Sequence, residues 1–132
     1  MDDSLHLTKT LDELDPPAWD PPLASTGLVK TCHELRGKAI GEFGTEDLRV
    51  MIGQGIGLPF LIPLALDVLE GDPLAEGDYY PGDLLRSVLS VSSEFWVGKS
   101  EWHRRVGAIL AHVNEPPDEL RDAIQTFHTH TA

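Results

Sequence analysis

Basic side chains are scarce in this 132-residue chain and missing from its middle. Ten Lys and Arg stand against 22 Asp and Glu, a formal net charge of -12, and no basic residue occurs between Arg49 and Arg86. A field of that sign repels nucleic acid and anionic membrane surfaces, and it speeds encounter with basic proteins. Cysteine is nearly absent too. The single Cys32 excludes an internal disulfide and any Cys-rich zinc site, and it fits a reducing compartment. The opening Met1–His6 lacks the basic and apolar regions of a signal peptide. The apolar run near Leu58–Leu69 is interrupted by Pro59 and Pro63 and is too short to span a bilayer. These absences point to a cytoplasmic protein. A 41% hydrophobic content argues against disorder, and the length suits one domain with one core.

No alternating strand pattern occurs, and the apolar spacing is helical throughout. The fold class expected is all-α: a single compact domain of six or seven helices around a buried central helix near 58–70. Leu7, Leu11 and Leu14 mark a short first helix, followed by the extended, Pro-rich Asp15–Pro22, which Trp19 pins to the core. Ser25 or Thr26 caps a helix to about Leu35, which Gly37 ends, and Thr45 caps the next. Gly53, Gly55 and Gly57 break that helix, and Pro59 sits in the first turn of the apolar one. Further helices start at Gly82-Asp83, at a Ser100 cap and at Asp118. The chain divides into 1–27 (first helix and Pro-rich segment), 28–96 and a helical tail 97–132.

Catalytic patterns are missing. Gly53, Gly55 and Gly57 lack the preceding strand, the spacing and the Lys-Ser or Lys-Thr of a phosphate loop. Cys32 and His33 are helix neighbours about 100° apart, so they cannot pair as nucleophile and base. Of six histidines, His103 and His112 are too far apart on one helix to share a metal, and His128 and His130 read as a frayed tail. No catalytic residue, metal or cofactor is implied.

What the middle does contain is Asp67–Asp83, with six carboxylates, no Lys or Arg, and Tyr79-Tyr80 beside a Pro-Gly turn. A buried helix emptying into an acidic, aromatic-tipped loop makes a mount for a contact surface. Asp72, Glu76, Asp78 and Asp83 are placed to meet Lys or Arg of a partner, with Glu70 at the rim. Tyr79 and Tyr80 are anchor candidates, because tyrosine is enriched in interface hot spots. The same pair also suits a structural turn. Contact residues would then lie elsewhere, with Trp96, Glu101, Trp102 and His103 as secondary candidates.

The stretches Lys9–Leu14, Leu28–Arg36, Glu46–Gln54, Gly57–Leu66 and Pro73–Leu85 resemble immunity proteins of contact-dependent growth inhibition (CDI) systems. The resemblance covers about the first 96 residues and leaves the tail from Val97 to the bottom-up reading. It implies a small, non-enzymatic cytosolic protein that binds and neutralises a cognate toxin domain by occlusion. Many such toxins are nucleases and therefore basic, which an acidic inhibitor complements. The expected partner is that toxin domain, with no nucleic acid or membrane, and the free protein a monomer or weak dimer. Two readings from other classes remain. One is a small ligand-binding module or enzyme with a pocket at the Gly53–Gly57 corner, using Gln54 and the tyrosines, with Cys32 nearby. The other is a structural homodimer formed through Phe95-Trp96 and the last helix.

Overall fold

The computed structural model describes residues 7–16 and 27–130. Trp19, most of the Pro-rich segment and the Ser25 or Thr26 cap lie outside the described residues. Among the described residues, eight α-helices follow one another: α1 Leu11–Leu14, α2 Gly27–Arg36, α3 Thr45–Gly53, α4 Leu58–Gly71, α5 Asp83–Leu89, α6 Ser93–Trp96, α7 Ser100–Leu110 and α8 Asp118–His130. A 3-10 turn, Ile40–Glu42, joins α2 to α3. Among the described residues there is no strand, only isolated antiparallel bridges at Thr10–Ala39 and Glu76–Pro81. The class is all-α.

The helix starts show local chemistry at work. Thr10 caps α1, taking the Glu13 N–H, while the Glu13 carboxylate takes the Thr10 N–H at 3.0 Å. This reciprocal box satisfies two amides that the helix leaves unpaired. Gly44, not Thr45, precedes α3, and Asp47 accepts its N–H at 3.0 Å. Lys99, not Ser100, stands at the cap of α7. In both cases the expected cap is the first helical residue instead. The last helix runs to His130, so His128 and His130, expected in a frayed tail, are helical.

α4 buries Leu61, Ile62, Ala65, Leu66 and Leu69, and it runs on through Pro63. Its far side carries the exposed Asp67 and Glu70. The seven-residue α5 sits as deep, with Asp83, Leu84, Leu85, Val88 and Leu89 all buried. Together they form the centre: α4 packs on α3 and α7, and α5 packs on α3, α4 and α8. Leu48, Met51, Val106, Ile109, Leu120 and Phe127 complete the core. Truncating one such leucine to alanine costs about 3 kcal/mol, from lost transfer energy and the cavity left behind.

Two ties need more than apolar packing. Arg36, 2% exposed, donates to Asp12 Oδ1 at 2.9 Å and to the Asp15 carbonyl at 2.7 Å, fastening α1 to α2. Gly82 enters α5 with φ of 93°, and a Cβ there would lie 2.7 Å from Leu120 Cδ1. Only glycine fits that conformation against α8.

Candidate functional site: a loop held from inside

Between α4 and α5, residues 72–82 fold back on themselves. Asp72 Oδ1 accepts the Leu74 N–H at 3.2 Å, and the Gly82 N–H donates to the Leu74 carbonyl at 3.1 Å. Glu76 and Pro81 bridge within this closure, while Ala75 is buried beneath it. The tip is then fixed by two carboxylates from helices. Asp83 Oδ1 accepts the Gly77 N–H at 2.6 Å, and Oδ2 accepts those of Tyr79 at 3.0 Å and Tyr80 at 3.4 Å. Glu46 of α3 accepts the Asp78 N–H at 2.9 Å. Four successive amides thus point inward at anions. Gly77 is required by crowding, since a Cβ would meet Glu46 Oε1 at 2.5 Å and Asp83 Oδ2 at 3.1 Å.

Arg49 completes the support. It makes a forked pair with Glu46, lies 3.8 Å from Asp83 Oδ2, and places its guanidinium 4.3 Å from the Tyr79 ring centroid. The hydrogen bond from Arg49 holds the Glu46 carboxyl below its ordinary range, aided by the Asp78 N–H. The same bond, with the charges of Glu46 and Asp83, holds the Arg49 guanidinium above its own. Tyr79 stands out from this base, 71% exposed. Glu76 and Asp78 flank it in solvent.

The candidates from sequence therefore separate. Asp72, Glu76, Asp78 and Tyr79 are exposed on the loop, and Tyr80 is half-buried. Asp83 does not face outward: it is 3% exposed and shapes the loop from beneath. Glu70 belongs to another surface, where Arg105 of α7 donates to it at 2.7 and 2.9 Å and to Asp67 at 2.9 Å. Those bonds hold Glu70 below its ordinary range and Arg105 above its own. Trp96, Trp102 and His103 gather at a third place, with Phe95 and Phe127. His103 stacks on Phe127 at 4.7 Å, Trp96 meets both edge-on, and Trp102 stacks on Phe95 at 6.1 Å. Glu101 is exposed nearby in sequence. Glu46, Arg49 and Phe127 are not among the site candidates that the sequence offers. The signal for the first two was their three-residue spacing on one helix face.

Cys32 is 4% exposed, and burial pushes its thiol up, opposite to an activated nucleophile. A cleft of about 400 Å³ does open beside Gly53 and Gln54, lined also by Arg49, Tyr79, Tyr80 and Arg86, and Cys32 is not part of that lining. Among the described residues, no three of His, Cys, Asp and Glu converge as for a metal ion. No helix of the described residues is long and apolar enough to cross a membrane.

The small helical body thus presents a braced, acidic loop with an exposed tyrosine at its tip. The chain belongs to the CDI immunity proteins: the model of that family matches residues 13–106. Comparison with curated proteins and with solved structures gave no match. Its role is accordingly that of an immunity protein whose partner is a cognate CDI toxin, in a family that is generally non-enzymatic.

Proposed function

We propose that the protein neutralises its toxin by covering the toxin's active site or substrate groove, with the Asp72–Pro81 loop as the contact. Tyr79 is the anchor, and Glu76, Asp78 and Asp72 face Lys or Arg of a basic toxin domain of the nuclease class. Asp83, Glu46 and Arg49 are positioning residues that hold the loop in its binding shape. The protein acts in the cytoplasm, as a monomer or weak dimer when unbound, and residues 1–132 work as one unit.

The observation that carries this reading is the exposure of Tyr79 on a loop whose amides are already satisfied from within. A large apolar ring left in water is unfavourable, and bracing it lowers the ordering cost of binding. The acidic flanks add steering toward a basic surface.

The test is titration calorimetry against the toxin domain encoded beside this gene, at two salt concentrations. Tight binding that weakens with salt and with Tyr79→Ala is expected. Binding unchanged by Tyr79→Ala would move the contact away from this loop.

A further inference from the structure

Among the described residues, the large hydrophobic side chains left exposed are Leu28, Val29, Tyr79 and Val97. Three of them border two hollows. Leu28 and Tyr79 line the cleft beside Gln54, and Val97 lines a second cavity of about 480 Å³. Ser90, at the end of α5, lines both. The two hollows therefore adjoin at Ser90 as a track of two separate parts, one beside the tyrosine loop and the other beside the turn between α6 and α7.

The electrostatics of this track oppose those of the whole protein. Among the described residues the only carboxylate in its lining is Asp83, which is 3% exposed and engaged with the loop amides. The full charges facing the cleft are Arg49 and Arg86. Arg49 is committed to Glu46, whereas Arg86 is exposed and uses Nε on the Glu119 carbonyl at 3.1 Å. The cavity is walled by Leu89, Val91, Trp96, Phe127 and the His103 ring. His103 Nε2 is enclosed and without a hydrogen-bond partner, so the imidazole serves the wall through its ring. An acidic protein thus keeps one groove clear of acid.

We infer that the cavity beside Trp96 and Phe127 is a socket for a large apolar side chain projecting from the toxin, whose chain then crosses Ser90 and sets a carboxylate or main-chain carbonyl against Arg86. The inference rests on the toxin-binding reading and adds a second contact, of opposite chemistry, to the acidic loop. Size supports it, since a cavity of about 480 Å³ holds a whole aromatic side chain. Continuity supports it as well: Tyr79 borders the cleft, so one partner reaches loop and socket together. A small molecule would fill one hollow and leave the other apolar residues exposed.

The test uses the full chain and the toxin domain encoded beside its gene. Val97→Glu and Thr126→Trp change exposed positions in the cavity lining, and Ala111→Trp places similar bulk on an exposed position outside it. Thermal melting by circular dichroism checks that all three fold as the unmodified chain does. Calorimetry is expected to show toxin affinity at least tenfold weaker for Val97→Glu and Thr126→Trp, with Ala111→Trp within twofold. If all three variants bind like the unmodified chain, the socket is overturned while toxin binding stands. If the unmodified chain does not bind the toxin domain, the proposed function falls together with the socket.

Discussion

The carboxylate of Asp83 accepts the backbone N–H of Tyr79 at 3.0 Å, so the most buried acid of the middle segment holds its most exposed ring. Removing that carboxylate leaves inward-pointing amides without an acceptor. Asp83→Ala should lower unfolding free energy by about 3 kcal/mol, as expected for lost hydrogen bonds to a buried charged group. Urea denaturation measures it. Hydrogen exchange at Gly77 and Tyr79 should accelerate, and Asp83→Asn should be milder because its amide oxygen still accepts.

Tyr79→Ala separates binding from folding. The ring is 71% exposed and its contact with the Arg49 guanidinium is a surface one, so stability should fall by only about 0.5 kcal/mol. Toxin affinity should weaken by about 2 kcal/mol or more. Equal losses in both measurements would mark the tyrosine as structural.

Glu76→Gln with Asp78→Asn removes the two outward charges beside Tyr79 and leaves the Asp78 amide on Glu46. Stopped-flow mixing with toxin should show slower association, a shallower salt dependence and an unchanged dissociation rate.

The loop should loosen in acid. Arg49 holds the Glu46 carboxyl below its ordinary value of about 4.3. A carboxylate depressed in the folded state binds fewer protons there than when unfolded, so its stabilisation is complete above about pH 4.3 and fades as pH drops through the folded value. Glu46→Gln should remove this part of the acid dependence, read from melting temperature between pH 6 and pH 3, where the two proteins' curves converge.

Arg36→Ala should cost about 3 kcal/mol, as much as Asp83→Ala, because it removes a buried guanidinium from Asp12 and from the Asp15 carbonyl. Arg105→Ala, in a pair with exposed Asp67 and Glu70, should cost less than about 1 kcal/mol and less still in salt.

The helices were legible because their signals are local. The apolar stripe of α4, the Gly82-Asp83 start and the Asp118 start each lie within a few residues of what they specify. α6 was missed, since four residues carry no readable period. Thr45 and Ser100 have the right chemistry for caps, but the boundary falls one residue earlier in each case. The loop was legible as acidic and aromatic, yet the sense in which Asp83 points was not. An aspartate in a first helical turn reads as a response to the helix dipole, and nothing in sequence shows that it instead reaches back to amides up to six residues upstream. The burial of Arg36 has no local signal for a similar reason. Its partners are more than twenty residues away. Capping by Thr10 and Glu13 had a local signature, the T-x-x-E spacing, that went unread.

The close seat of Gly82 against Leu120 has a consequence for transplanting the contact surface. The family match ends at residue 106, but the loop's exit is moulded on a side chain of α8, beyond that limit. A graft that carried Asp72–Asp83 into a related scaffold would arrive without the wall that fixes its exit angle. The smallest transferable unit is therefore three separate pieces of chain, the bracing face of α3, the loop and the last helix, moved together.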